Sequence, residues 1–246
     1  MKFEVWEKFY EKILADFGFS RDDDNKSAVI LNEILFKSNT YSFEGIQTFI
    51  DESTDNNTTF VIFGAGPSLK NHIIEFKEME NKTSSFHEFF TIAADGATSA
   101  LLEEDIVPDV VVTDLDGKMD DLLIANKKGS IFVIHAHGNN LDLINEYADK
   151  FNKSIGTTQD KPFGKLYNFG GFTDGDRAVF LAVELGAHNI LLCGMDFGKY
   201  VTKYSRPNLH EDIALADDMK VKKLSYAEIL IKWIEDNENV IIEFLD

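Results

Sequence analysis

Residues 59–69 of the chain read TFVIFGAGPSL, and this stretch decides the fold class. Its first five residues are typical of a buried β-strand, and Gly64 and Gly66 then allow a tight turn. Pro67 suits the first turn of a helix, because that position needs no backbone N–H donor. The stretch therefore predicts a strand that turns directly into a helix, which is the repeating unit of an α/β fold.

Further strand-like runs follow, in alternation with amphipathic helical segments. They are residues 89–94 before Asp95, 110–113 before Asp114, 131–134 before His135, 166–169 before Gly170, 189–192 before Cys193, and 240–244 near the end of the chain. The alternation predicts a Rossmann-like α/β fold with a mainly parallel sheet and helices on both faces. Ligands of such sheets bind beyond the carboxyl ends of the strands, where these polar residues are expected to lie.

The beginning of the chain has a different pattern of apolar residues, which predicts a small helical region. Trp6 and Tyr10 lie one helical turn apart within an amphipathic pattern. A polar run at residues 53–58 separates this region from the first strand. We therefore predict a helical N-terminal region at residues 1–57 and a Rossmann-like catalytic domain at residues 58–246.

The charge of the chain restricts its partners. With 24 basic and 43 acidic residues, it has a net charge of −19. Such a surface repels nucleic acid, so none is expected as a partner, and it also repels a free triphosphate. A nucleotide site must therefore contain a helix N-terminus, a few placed cations or a metal ion. No stretch approaches the roughly 20 apolar residues of a membrane helix, and the N-terminus does not resemble a signal peptide, so we expect no membrane contact and a cytoplasmic protein. The sequence leaves open whether the chain forms a homo-oligomer.

Asp114 and Asp116 follow the run VVVT and are the predicted magnesium ligands. In an extended segment alternate side chains share a face, so the two carboxylates would repel each other unless a cation intervenes. Mg²⁺ is typically held by one or two carboxylates, with phosphates and waters completing its shell. Asp95 and Gly96 end another strand and are expected to contact the same ligand, although Asp-Gly is also an ordinary turn. The alternative is a capped turn with solvated acids.

The glycine turn is the predicted nucleotide site. Glycine lets a phosphate approach the backbone, and the following helix offers unpaired N–H groups. The predicted binding residues are Gly64, Ala65, Gly66, Pro67 and Ser68. The turn fits neither the dinucleotide fingerprint nor the P-loop pattern. A tight strand-to-helix turn without a ligand is the alternative.

The segment HAHGNN carries two histidines at alternating spacing. No third zinc ligand lies nearby in the sequence, so a zinc site is not favoured. His135 and His137 are instead expected to donate hydrogen bonds to phosphate, and His137 is assigned a catalytic role. Asn139 and Asn140 are expected at the same ligand, although either residue could instead cap the following helix.

The segment NFGGFTDGDR, residues 168–177, is the densest run of glycine and polar residues and predicts a substrate loop. Arg177 suits a phosphate and is assigned a catalytic role. The predicted substrate contacts are Gly170, Gly171, Phe172, Thr173, Asp174, Asp176 and, after the next strand, Asp196. Alternatively, Thr173 and Asp176 form no more than a helix-capping pair.

Six ordered motifs span residue 64 to about residue 223. They are GAGPSL, ADGA, VPDVVVTDLDG, HAHGNN, NFGGFTDGDRAVFLA and GMDFG, followed by Lys222-Lys223-Leu224. Together they resemble the archaeal 6-hydroxymethyl-7,8-dihydropterin diphosphokinases, the MptE-like family, which in turn look like thiamin pyrophosphokinases. The resemblance implies ATP and Mg²⁺ as co-substrate and cofactor, AMP as a product, and a pterin diphosphate for folate or methanopterin-type biosynthesis.

The resemblance also implies roles for the motifs. Asp114 and Asp116 would hold magnesium, the glycine turn would line the nucleotide site, and residues 135–140 and 170–177 would contact phosphate and the small hydroxymethyl acceptor. Such a transfer rests on positioning and charge neutralisation, and it needs no protein nucleophile.

Three other functions stay open. One is a thiamin pyrophosphokinase-like enzyme acting on another hydroxymethyl acceptor. The GAGPSL turn also resembles one in bacterial motility-accessory glycosyltransferases and some sialyltransferases, where it faces a sugar nucleotide, but this leaves the Asp-x-Asp and GGFTDGDR segments unexplained. A non-catalytic nucleotide-binding module would be expected to lose the metal carboxylates, and both are present.

Overall fold

A computed structural model describes residues 1–38, 40–82 and 88–245 of the chain. The helices are α1 (Phe3–Phe17), α2 (Arg21–Lys37), α3 (Phe43–Ser53), α4 (Leu69–Lys82), α5 (Ala97–Glu103), α6 (Met119–Lys128), α7 (Leu141–Tyr147), α8 (Asp174–Glu184) and α9 (Asp218–Asn237), with a 3-10 turn at Ala148–Lys150. The strands are β1 (Thr59–Phe63), β2 (Phe89–Ala94), β3 (Val110–Thr113), β4 (Ile131–Ala136), β5 (Ser154–Thr158), β6 (Leu166–Tyr167), β7 (Asn189–Cys193), β8 (Tyr200–Thr202), β9 (Ile213–Leu215) and β10 (Ile241–Phe244).

Within these described residues, eight strands form one sheet in the order β10-β7-β1-β2-β3-β4-β5-β6. Every neighbouring pair in this sheet is parallel, which confirms the predicted α/β class. The sequence pattern does not predict β5, because its residues SIGTT form no apolar run. It also misses the separate antiparallel hairpin of β8 and β9.

Helices cover both faces of the sheet, as predicted. Successive side chains of a strand point to opposite faces, so Phe60 and Ile62 enter one core, which α1, α3, α8 and α9 complete. Val61 and Phe63 enter the opposite core, together with α2 and α4 to α7. Both faces of the strands are therefore buried, which explains their nearly continuous apolar runs. In the part of the chain that the structure describes, no helix is long and apolar enough to span a membrane.

The N-terminal helices pack directly on this sheet. The indole N–H of Trp6 donates to the backbone oxygen of Gln159 at 2.8 Å. Helix α2 lies against β5 at Gly156, where an added Cβ would lie 2.4 Å from Leu166 and 2.5 Å from Leu35. The division of the chain into two domains stays a prediction, but these helices share both cores of the sheet. The turn between α1 and α2 consequently reaches the carboxyl edge of the strands.

Candidate active site

A cavity of about 320 Å³ lies at the carboxyl edge of the sheet, within the range of roughly 300–1,000 Å³ for ligand pockets. Its walls are the loops after β1, β2, β3, β4, β5 and β7, the α1–α2 turn, β8, and the first turns of α8 and α9. The cavity brings together most of the predicted site residues: Gly64, Ala65, Gly66, Asp95, Gly96, Asp114, Asp116, His137, Asn139, Phe172, Thr173, Asp174, Arg177 and Asp196.

Three carboxylates form an acidic group in this cavity. Oxygen atoms of Asp95, Asp114 and Asp116 lie within 4.8 Å of one another. The expectation that an extended segment aligns the last two is wrong, because Leu115 between them has a left-handed backbone with φ of 70°. Its buried side chain anchors this turn, which for a residue other than glycine costs about 1–2 kcal/mol. The hydroxyl of Thr113 donates to Asp95 and accepts from the N–H of Leu115, so it ties the two loops together.

The three acids differ in their electrostatics. Burial disfavours the charged form of Asp114, but a 2.9 Å hydrogen bond to His137 Nε2 and the nearby Arg177 hold its pKa well below the usual range. Burial and repulsion by neighbouring acids raise the pKa of Asp95 and of Asp116. Asp114 Oδ1 is buried without a hydrogen-bond partner among the described residues. A divalent cation would relieve the repulsion and give this oxygen a partner, so the donor set fits Mg²⁺.

Three cationic side chains, Arg177, Lys220 and Lys223, line the same cavity. Arg177 is 8% exposed, contacts Asp174 at 3.1 Å and has a buried Nε for which the described residues offer no hydrogen-bond partner. Burial lowers the pKa of Lys223, whereas burial and repulsion by Asp114 raise the pKa of Asp174. These side chains bring positive charge into the cavity of a chain whose net charge is −19, and a polyphosphate site in such a chain would need placed cations of this kind.

The two histidines have partners other than the predicted phosphate. His135 lies inside β4, with its Nδ1 3.0 Å from the hydroxyl of Thr157, and burial lowers its pKa. His137 uses both ring nitrogens, because Nδ1 accepts from the N–H of Asn139 at 3.3 Å while Nε2 faces Asp114. A ring that accepts at Nδ1 donates from Nε2, so His137 orients the Asp114 carboxylate.

Some predicted site residues do not line the cavity: Pro67, Ser68, His135, Asn140, Gly170, Gly171 and Asp176. Several of them support the loops that do. The Asn140 amide donates to the backbone oxygens of Asp114 and His135 at 2.8 and 2.7 Å. Asn140 therefore connects the loop after β3 to the end of β4.

The substrate segment is partly structural. Asp176 is fully buried and accepts from the N–H groups of Phe172 and Thr173 at 2.6 and 2.7 Å. With Thr173 it forms the capping box on α8 that the sequence spacing allowed, and Thr173 also lines the cavity. Gly171 has φ of 92°, and an added Cβ would lie 2.6 Å from Arg177 Cα. The segment thus fixes the backbone that carries Arg177.

The glycine turn packs against a second turn, the one after β7. The N–H and the hydroxyl of Ser68 both donate to Asp196 Oδ2, at 3.0 and 2.8 Å. A Cβ on Gly66 would lie 2.2 Å from the same oxygen and 2.6 Å from the Gly194 carbonyl. The start of α4 therefore already has an anionic partner. Gly66 is required for the packing of the two turns, whether or not a ligand binds there. Gly64 and Ala65 line the cavity beside it.

Sequence reasoning missed three groups of cavity residues. They are Tyr10, Gly18, Phe19, Ser20, Asp23 and Asp24 on the N-terminal helices, Gln159 after β5, and Tyr200, Val201, Lys220 and Lys223 from β8 and α9. The aromatic and acidic run FGFSRDDDN at residues 17–25 was an available signal for the first group. No sequence signal pointed to Gln159, because the strand before it, β5, has no apolar run.

Comparisons with known proteins agree on one family. A family model described as "6-hydroxymethylpterin diphosphokinase MptE-like" matches residues 35–202. Relatives named 6-hydroxymethyl-7,8-dihydropterin pyrophosphokinase occur in Methanothermobacter thermautotrophicus, 48% identical over 99% of both chains, and in Methanocaldococcus jannaschii, 47% identical over 100% of both. A third, from Pyrococcus furiosus, is 44% identical over 99% of both chains.

Among solved structures, that of the MAf glycosyltransferase from Magnetospirillum magneticum AMB-1 aligns with a TM-score of 0.49 and 15% sequence identity. The alignment covers 79% of this chain and 34% of that one.

Proposed function

The chain belongs to the MptE-like family of 6-hydroxymethylpterin diphosphokinases, and from this premise we propose that it transfers diphosphate from ATP to 6-hydroxymethyl-7,8-dihydropterin in a Mg²⁺-dependent reaction that releases AMP. The proposed acceptor is the one in the names of the three relatives. One observation carries the proposal: an acidic group, with a buried oxygen for which the described residues offer no hydrogen-bond partner, lies in the same cavity as three cationic side chains.

We assign the magnesium site to Asp114 and Asp116, with Asp95 beside them. The close approach of these carboxylates supports this assignment, and the unpartnered Asp114 Oδ1 gives the cation a preformed ligand. Bound Mg²⁺ supplies charge neutralisation to the phosphate oxygens. His137 fixes the orientation of Asp114 by hydrogen bonding to its other oxygen.

The polyphosphate is assigned to the cationic side chains. Arg177 presents an unpartnered buried Nε, and Lys220 and Lys223 come from the first turns of α9. We assign the nucleotide end of ATP to the glycine turn, Gly64 to Gly66, which packs against Asp196. Charge neutralisation by fixed cations is the main catalytic contribution expected in phosphoryl-type transfer.

In the proposed reaction, the hydroxymethyl oxygen of the acceptor bonds to the β-phosphorus of ATP. The bond from that phosphorus to the oxygen bridging it to the α-phosphate breaks, and AMP leaves with the bonding electrons. The proton of the hydroxyl passes to a carboxylate of the cavity. Asp174 is the proposed acceptor of this proton, because burial raises its pKa and it is not one of the assigned magnesium ligands.

AMP release, measured with a panel of acceptors, tests the proposal. The purified chain is incubated with ATP and either 6-hydroxymethyl-7,8-dihydropterin or thiamin, with Mg²⁺ or with excess EDTA. With Mg²⁺ present, we expect AMP and the dihydropterin diphosphate to form in equal amounts. With excess EDTA, we expect neither product. Efficient use of thiamin instead would reassign the acceptor. If no AMP forms with either acceptor, the sugar-nucleotide and non-catalytic alternatives replace the proposal.

A further inference from the structure

The order of the strands in the sheet sets the order in which their loops line the cavity. The nucleotide-end loops follow β7 and β1, the acids follow β2 and β3, and the last cavity residues along the edge follow β4 and β5. Neighbouring strands are about 4.8 Å apart, so the ends of β3 and β5 are separated by roughly 10 Å. That separation suits a bicyclic ring whose hydroxymethyl arm points toward the acids.

Gln159 is the polar group at this far end. Its backbone oxygen is fixed by two hydrogen bonds, from Trp6 Nε1 at 2.8 Å and from Asn168 Nδ2 at 2.9 Å. Gln159 is 5% exposed and is one of the residues that line the cavity, and its buried Oε1 has no hydrogen-bond partner within the described part of the chain. An unpaired buried amide oxygen costs about 1–3 kcal/mol, so a ligand that pairs with it gains that contribution.

The other polar side chain buried here is already satisfied. Both oxygens of Asp24 accept hydrogen bonds, from Tyr10 at 2.6 Å and from the Gly138 N–H at 2.7 Å. Asp24 is 6% exposed, and these contacts hold α2 against the loop after β4. Asp24 therefore shapes the pocket, while the free hydrogen-bonding capacity belongs to Gln159.

Two aromatic rings give the cavity an apolar wall. Phe19 and Phe172 both line the cavity, with ring centroids 6.4 Å apart. Gly18 ends α1 with φ of 68°, and this left-handed residue turns the chain so that Phe19 reaches the cavity. Lys223 Nζ lies 5.6 Å from the Phe19 ring and 5.8 Å from the Phe172 ring, on the side of the proposed polyphosphate.

We propose that the acceptor ring binds between the N-terminal helices and the end of β5, where the Gln159 amide pairs with the lactam edge of the pterin and Phe19 and Phe172 contact the ring. This inference rests on the proposed function and names the residue that would select the acceptor. A lactam presents an N–H beside a carbonyl, and a side-chain amide matches it with one acceptor and one donor. Acceptors without such an edge leave the Gln159 amide unpaired, which is how a buried polar group discriminates.

The test is Gln159→Met, which keeps the length of the side chain and removes the amide. Gln47→Met is the matched control, because Gln47 lies on α3, outside this cavity, and its side-chain amide donates to Asp51 on the same helix. Affinity for 6-hydroxymethylpterin is measured by calorimetry without ATP, and KM values for the dihydropterin and for ATP are measured by AMP release. We expect Gln159→Met to weaken pterin binding and raise the acceptor KM by about ten- to a hundredfold, with the ATP KM within about twofold. Gln47→Met should leave all three unchanged.

Thermal unfolding of the ligand-free variant separates binding from a structural role. Because Gln159 Oε1 has no partner among the residues that the structure describes, Gln159→Met should not lower Tm. A marked fall in Tm, or unchanged pterin affinity, overturns the inference. A second variant, Phe19→Leu, should raise the acceptor KM and leave the ATP KM unchanged, and equal effects on both would also overturn it. Wild-type chain that binds the pterin but releases no AMP would refute the proposed function and leave this binding site standing.

Discussion

Asp114→Asn and Asp116→Asn should abolish the same activity and yet change stability in opposite directions. Both acids belong to the proposed magnesium site, and their oxygens lie within 4.8 Å of each other. Burial and repulsion by Asp114 raise the pKa of Asp116, so the fold disfavours its charge. The contacts with His137 and Arg177 hold the pKa of Asp114 well below its usual range despite burial, so the fold favours its charge.

The magnitudes follow from this geometry. Two unit charges 4.8 Å apart repel by about 3.5 kcal/mol at an effective dielectric constant of about 20. Asp116 is partly desolvated by its surroundings but remains accessible to solvent. Solvent screening therefore reduces the repulsion to about 1 kcal/mol, so Asp116→Asn should raise Tm by about 2–4 °C without metal. Asp114→Asn weakens a hydrogen bond to a charged group, worth about 1.5–3 kcal/mol, and should lower Tm by roughly 3–10 °C.

The assays are differential scanning calorimetry in EDTA and AMP release in Mg²⁺. Each variant should lose about a hundredfold or more in kcat/KM, because the metal ligand set is incomplete. Added Mg²⁺ should raise the Tm of the wild type and have little effect on either variant. Asp149→Asn is the control, since it makes the same change at an exposed site away from the cavity. Shifts of Tm in the same direction for both variants would refute the electrostatic assignment, and near-normal Mg²⁺-dependent turnover would refute the metal site.

Three further predictions follow from buried contacts. Asp176→Ala should lower the free energy of unfolding, measured by chemical denaturation, by roughly 2–3 kcal/mol, because the buried Asp176 carboxylate belongs to the capping box of α8. A selective rise in the acceptor KM with unchanged stability would contradict this prediction. Gly66→Ala should lower Tm and raise the ATP KM, because its Cβ would meet Asp196 Oδ2, whereas Gly198→Ala has open space and should do neither. Burial raises the pKa of the Cys193 thiol to about 12. The thiol should therefore react with a disulfide reagent at pH 8 only after denaturant is added. Rapid labelling of the native chain would show that Cys193 is not buried.

The sequence by itself determined the α/β class, the parallel sheet and the centre of the cavity. Each parallel strand is buried on both faces, so it appears as an apolar run, and the polar residue after it marks the carboxyl edge. Asp95, Asp114, Asp174 and Arg177 were therefore predicted together without any knowledge of contacts. The capping box at Asp176 was likewise readable, as an alternative, from its spacing with the preceding threonine.

The tertiary structure alone decided how these residues are used. Leu115 shows that a left-handed turn, and not an extended strand, aligns the acids, and local sequence rarely indicates such a conformation outside glycine. His135 lies inside β4 and His137 contacts Asp114, whereas the sequence predicted that both would donate hydrogen bonds to phosphate.

The acceptor end of the cavity was also decided by tertiary structure. The bond from Trp6 to Gln159 joins residues 153 positions apart, and no local pattern encodes it. Helical periodicity shows that α1 and α2 each have an apolar face, but it does not show on which part of the sheet that face packs. Only the packed fold places Phe19 and Gln159 in one pocket, because a site made by distant segments depends on which surfaces are buried together.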